Sequence, residues 1–302
     1  MTISSNGIIP KMDEGDVLKV RMFGGFQMSY RGEKFQIGKK QTAKAVRLFQ
    51  MLLHAGAAGI AREQLLEDLF GHEAETDLAN NLNVTVHYLR KLLKGSRLPE
   101  GEYILIKSGR YHFDAHCPVE VDALAFASLL EQAKGKKEDE RLKLLKEACR
   151  LYKGHFLPAL TGEEWATVTG AHYQYLYTDH MEEVCRLMTA RGEYQELFEL
   201  CGRAAAVYPF DEWQIWQMEC LLAMKRFEQA RELYDQTEAL YLDELDSAPM
   251  ERMTEFFQKM SQEMRMEVDD LNEIQMDLQE EGREDGAYYC SYLSFVDTYR
   301  TM

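Results

Sequence analysis

The chain has 302 residues, 46% apolar and 28% charged, and a formal net charge of -16; that length exceeds one comfortable core and suggests about two domains. No apolar run approaches membrane-spanning length, and the N-terminus lacks a charged segment followed by a long apolar one, which argues against a membrane or secreted protein. The six cysteines, Cys117, Cys149, Cys185, Cys201, Cys220 and Cys290, are scattered without a C-x-x-C pair, a reduced pattern that places the expected location in the cytoplasm.

Charge is unevenly divided. Residues 1–116 hold 16 Lys+Arg against 13 Asp+Glu, while the remainder holds 19 against 38, so the first part is +3 and the second -19. Such asymmetry points to a module that faces nucleic acid joined to one that avoids it.

In chain order, Leu18, Val20 and Met22 alternate with Lys19 and Arg21, turn at Gly24-Gly25, resume over Phe26–Tyr30 and turn again at Arg31-Gly32-Glu33 before Phe35 and Ile37. Period-two alternation bounded by glycines predicts a small antiparallel sheet. A helix follows over 42–54, with Ala45, Leu48, Phe49, Leu52 and Leu53 at helical spacing, and a second over about 62–70 with Leu65, Leu66 and Leu69 inward. Between Asp77 and Glu100 there is no carboxylate at all. There the third helix, about 77–95, spaces Leu82, Val86, Leu89 and Leu93 by four, three and four, one buried stripe. Asn80, Val84, His87, Tyr88, Lys91 and Lys94 must then face away, with Asn83 and Arg90 at the flanks, where backbone phosphates are easier to reach than base edges. Two strand-like runs about Ser108-Gly109-Arg110 complete an order of strands, three helices and a hairpin, that of a winged helix.

From Val121 the texture turns helical. Helices are predicted near 121–134, 138–153, 163–191, 193–207, 210–223, 227–241 and 249–281. Tyr194 and Phe227, thirty-three residues apart in similar surroundings, suggest stacked helix pairs of tetratricopeptide-like length. The aromatic run 287–295 is expected either to pack on the helical part or to open a further domain in a chain continuing past Met302.

These residues resemble a family. Leu18 to Gly38 with its Gly24-Gly25 turn, Lys40-Gln41, Arg62-Glu63-Gln64-Leu65 and the run Leu82–Leu93 are similar to the OmpR/PhoB-type winged helix of SARP-type transcriptional activators. Val121-Asp122 with Phe126, Tyr152-Lys153-Gly154-His155-Phe156-Leu157, Glu164-Trp165, Tyr208-Pro209 and Leu242-Asp243-Glu244-Leu245 leading to Pro249 resemble their bacterial transcriptional activator domain. The departures are Asn80, Asn81 and Asn83 where small or basic residues are usual, a short wing turn, and Lys225-Arg226 and Asp246 where glycines are common. No receiver domain precedes the winged helix, so control by aspartyl phosphorylation within this chain is not expected.

The expected architecture is therefore mainly α with a small β component: a winged helix over 15–116, a tetratricopeptide-like activator domain over 117–262, and a helix with an aromatic tail over 263–302. Asn80, Asn81, Asn83, Val84, His87, Tyr88, Arg90, Lys91, Lys94, Lys107 and Arg110 form the expected DNA-binding set. Within it, Asn80, Val84, His87 and Lys91 are assigned to the groove, and Arg90, Lys94, Lys107 and Arg110 to the phosphate backbone. A charge of only +3 implies weak binding by one copy, so useful affinity is expected to need either a homo-oligomer on tandem sites or a partner. The resemblance implies promoter double-stranded DNA and RNA polymerase as partners. The competing reading is an adaptor for proteins or ligands whose winged helix no longer binds DNA.

Catalytic signatures are missing: there is no G-x-x-x-x-G-K-[ST], G-x-G-x-x-G, H-E-x-x-H or G-x-S-x-G, so no catalytic residue and no cofactor is expected. His112, Asp114, His116 and Cys117 lack a second set at zinc spacing, and no metal site is expected there. At least two of Trp165, Trp213 and Trp216 are expected in the core.

Overall fold

The computed structural model describes residues 16–71, 77–249, 251–259 and 261–262. It is mainly α with small sheets and divides into two compact units between Leu187 and Met188.

The first unit opens with β1 (Leu18–Arg21), β2 (Gln27–Tyr30) and β3 (Glu33–Phe35), paired antiparallel with Leu18 opposite Tyr30 and Met28 opposite Phe35. Leu18, Val20, Met28 and Tyr30 are buried while Lys19 and Gln27 are exposed, the alternation of a sheet with one wet face. Next come α1 (Lys44–Ala55), a 3-10 turn at Gly56–Ala58, the two-residue β4 (Ile60–Ala61), α2 (Arg62–Phe70) and α3 (Leu78–Lys94). The hairpin of β5 (Ile104–Lys107) and β6 (Arg110–Phe113) takes β4 onto its side, giving the order β4-β6-β5 with Ile60 and Ile106 both opposite Tyr111. Helix α1 packs on α3, α2 and β6, so three helices and a hairpin share one core, the winged-helix arrangement expected from the sequence order.

A strand the periodicity does not show ties this core to the next segment. Strand β7 (Val119–Val121) runs parallel to β1, Leu18 opposite Val119, and completes a sheet ordered β3-β2-β1-β7. Directly after it, the Asp122 carboxylate accepts the main-chain N–H groups of Met22 (2.7 Å), Phe23 (3.1 Å) and Ala123 (2.8 Å). Burial raises the Asp122 pKa above the ordinary carboxylate range, and those three N–H groups act against the shift. Helices α4 (Asp122–Ala133) and α5 (Glu138–Leu151), a 3-10 turn at Pro158–Leu160 and α6 (Glu164–Arg191) follow.

The residues that carried the resemblance to an activator domain meet the first sheet here. Phe23 lies 5.5 Å from Phe126, 4.5 Å from Tyr152 and 5.2 Å from Tyr173, ring centre to ring centre. Each such pair is worth about 0.5–1.5 kcal/mol beyond the area it buries. Phe23 also bridges Phe156 through the main chain. The approach is close enough to require glycine: at Gly24, φ +71°, a Cβ would meet the Lys153 carbonyl oxygen at 2.7 Å. Packing thus runs across residue 116, where the expected winged helix ends.

In the second unit α7 (Tyr194–Val207), α8 (Trp213–Ala223) and α9 (Phe227–Leu245) pack in succession, α7 on α8 and α8 on α9. Tyr194 and Phe227, the pair that suggested a repeat, are the first residues of α7 and α9. Leu197, Leu200, Cys201, Ala204, Trp213, Met218 and Leu221 form its interior. Trp213 is 2% exposed, whereas Trp165 and Trp216 are half-buried, so one indole is fully enclosed where two were expected. Trp165 stands edge-on to Phe156 at 6.1 Å, close to where α6 begins, which leaves part of its ring at the surface. Of the helix expected over 249–281, residues 251–259 and 261–262 are helical; the rest, and the aromatic run 287–295, lie outside the described residues.

Candidate nucleic-acid interface

Helix α3 is fixed at both ends and along one side. Its N-cap Asp77 accepts the N–H of Asn80 at 3.1 Å, a cap worth about 1 kcal/mol, and it ends before Gly95. Leu82, Val86, Leu89 and Leu93 are 0–4% exposed, as their spacing requires. Thr85 is buried with them, its hydroxyl donating to the Asn81 carbonyl at 2.8 Å.

The opposite side is open. Asn80, Asn83, His87, Lys91 and Lys94 are exposed, together with Val84 (59%) and Tyr88 (52%). Asn81 is half-buried. Lys91 and Lys94 belong to the last turn, where cations also suit the helix dipole. Neither shares the helix with a carboxylate.

Two of the expected phosphate contacts hold other positions. Arg90 is half-buried; its Nη2 donates to the Ile104 carbonyl at 2.8 Å and lies 3.8 Å from Glu102, pinning α3 to the start of β5. Arg110 donates from Nε to the Ala58 carbonyl and from Nη2 to that of Gly59, both at 2.8 Å, clamping the wing to the turn after α1. A third arginine beyond the helix, Arg97, forms an exposed ion pair with Glu33.

The wing tip is a two-residue loop in which Ser108 (φ 51°) and Gly109 (φ 76°) both adopt positive φ, the conformation whose twist matches the strands it joins. Lys107 is exposed beside it. So is Ile106, at 57%, which sequence reasoning left out of the site. Alternation places Ile106 on the same face as the buried Ile104, so period two gives no signal for it; it emerges because it lies one pair from the loop, past the edge of the core.

Elsewhere in the first unit, a cleft of about 450 Å³ is lined by Met51, His54, Glu67, Asp68, Glu163 and Trp165 among others. Its carboxylates oppose a polyanion. Among the described residues no group of three or more His, Cys, Asp or Glu is placed to hold a metal ion, and no helix is long and apolar enough to cross a membrane.

Comparison with known proteins agrees with this architecture. Residues 121–261 match the family model of the bacterial transcriptional activator domain. The solved structure of Mycobacterium tuberculosis EmbR in complex with a low affinity phosphopeptide is similar in fold, with a TM-score of 0.53 at 14% identity. The match covers 82% of this chain and 65% of that one, so the chain spans less than two thirds of that protein's length. No curated protein matches the chain.

Proposed function

We propose that this SARP-type regulator, whose residues 121–261 form a bacterial transcriptional activator domain, controls transcription by binding promoter DNA through α3 and the wing. Helix α3 enters the major groove with Asn80, Val84, His87 and Tyr88 toward base edges, joined by Asn83, which was expected at a flank but is exposed like Asn80. Lys91, expected in the groove, stands in the last turn with Lys94, and both face phosphates, while Lys107 meets the adjacent backbone. The observation that carries this is the single open, carboxylate-free face of α3, presented beside a hairpin wing. The module read over 15–116 supplies DNA contact, and the helical segment up to 262 holds neighbouring copies on tandem sites and contacts RNA polymerase. Activation is then binding energy at the promoter, without covalent chemistry.

Anisotropy titration against promoter fragments tests the reading. Affinity should fall steeply as salt rises, because each neutralised phosphate releases counterions and contributes about -0.9 to the log–log slope. The Lys91→Ala, Lys94→Ala double variant should flatten that slope by up to about 2. An unchanged slope, or salt-insensitive binding to a protein with no DNA retained, would favour the adaptor reading.

A further inference from the structure

We infer that the reading face of α3 is built for A·T base pairs, a conclusion that rests on the proposed DNA binding and specifies its target. Guanine is most commonly recognised by arginine or lysine at O6 and N7. The lysines of α3, Lys91 and Lys94, lie in its last turn, away from the end that reaches base edges. The arginines of α3, the turn after it and the wing are Arg90, Arg97 and Arg110, and each is engaged within the protein. Arg90 and Arg110 donate to the main-chain carbonyls of Ile104, Ala58 and Gly59. Removing either would strand acceptors at the helix–hairpin junction. The Arg97–Glu33 pair is exposed and weaker, but Arg97 stands beyond Gly95, off the end of the helix.

What remains on the open face is the complementary set. Asn80 and Asn83 are exposed, and among the described residues their side-chain amides have no protein hydrogen bond; asparagine pairs bidentately with adenine N6 and N7. Val84 and Tyr88, 59% and 52% exposed, offer apolar surface of the kind that packs on the thymine methyl group. Asn80, Asn83 and Val84 lie in the N-terminal half of the helix, the part that reaches base edges when such a helix enters the groove, whereas Lys91 and Lys94 lie in its last turn. The wing fits the same target: with Arg110 clamped, its exposed apolar residue is Ile106, and the minor groove distinguishes mainly A·T from G·C.

Selection from a random duplex pool with the full chain, followed by thymine-to-uracil replacement in the recovered sequence, tests this. The pool should return an A·T core. Uracil lacks only the methyl group, so replacing a contacted thymine should weaken binding about fourfold per methyl lost. Val84→Ala, a change to the best helix former at an exposed site, should bind the thymine and uracil duplexes nearly equally at one position. A G·C consensus, or wild-type indifference to uracil with salt-dependent binding retained, overturns the A·T assignment and leaves DNA binding standing. Failure to retain any DNA at low salt overturns both.

Discussion

Helices α1 and α3 pack on each other, and both carry cations among apolar residues, but they dispose of them in opposite ways. On α1 nine consecutive residues, Ala45–Leu53, are buried, Arg47 included. Arg47 is 9% exposed, donates to the Leu69 carbonyl at 3.1 Å and pairs with Glu163. On α3 burial is confined to one stripe, Leu82, Thr85, Val86, Leu89 and Leu93, and Lys91 and Lys94 remain in water. A charge can sit inside a protein only if partners replace its hydration, so α1 uses its arginine as a structural joint. Arg90 of α3 is held in the same way by the Ile104 carbonyl, but Lys91 and Lys94 have no such employment and stay available to a polyanion.

The sharpest way to break this contrast is to remove the partner of the buried cation. Glu163→Ala leaves Arg47 with the Leu69 carbonyl alone and should destabilise the protein by about 3 kcal/mol in urea unfolding. That is the low end for breaking a buried pair, because the Glu163 side chain keeps 27% of its exposure. Lys94→Ala on α3 should change stability by less than about 0.5 kcal/mol. If the two variants unfolded at the same urea concentration, α1 and α3 would not differ in the way their burial indicates.

A second, slightly smaller effect separates the helices by pH. His54, in the last turn of α1, is largely enclosed, shares a 2.9 Å hydrogen bond with the Tyr173 hydroxyl, and has its pKa lowered from 6.5 to about 4 by burial. A depressed folded value means that the unfolded chain takes up the proton first as pH falls. Stability is therefore intact above about 6.5 and is lost progressively toward about 4. Between pH 7 and 5 this residue should account for roughly 2 kcal/mol of lost stability. His54→Gln should remove that component from a pH series of urea midpoints; an unaltered series would show that the loss arises elsewhere.

Much of this contrast was legible in the sequence, and what was missed has a common cause. The stripe Leu82, Val86, Leu89 and Leu93 is local periodicity, and it gave both the inward and the outward side of α3. The hairpin about Ser108-Gly109 and the boundaries of α2, α4 and α7 were likewise carried by neighbouring residues. Strand β7 was not: three residues are too few to show alternation, and its partner β1 lies about a hundred residues earlier. The same distance hides the Asp122 bonds to Met22 and Phe23. Within the site, Arg90 and Arg110 look from sequence like free cations, since nothing local announces that main-chain carbonyls of Ile104, Ala58 and Gly59 will hold them. Ile106 was overlooked because alternation puts it with the buried Ile104, and only the position of the hairpin tip relative to the core, a tertiary feature, leaves it exposed.

The smallest effect expected in folding is the most telling about function. Asn83 is exposed in the interior of α3, where asparagine is a poorer helix former than alanine because its amide competes for the backbone. If fold stability alone governed the position, Asn83→Ala would be an improvement, by roughly 0.5 kcal/mol in urea unfolding. On an adenine-reading face it should also lose about tenfold or more in affinity for the selected duplex, the lower part of the range for one bidentate base contact. Binding to unrelated DNA should be nearly unchanged, because no phosphate contact is removed. Opposite signs in the two assays would identify α3 as a helix held below its own best stability by what it must contact; a gain in stability with no loss in specific binding would place Asn83 outside the interface.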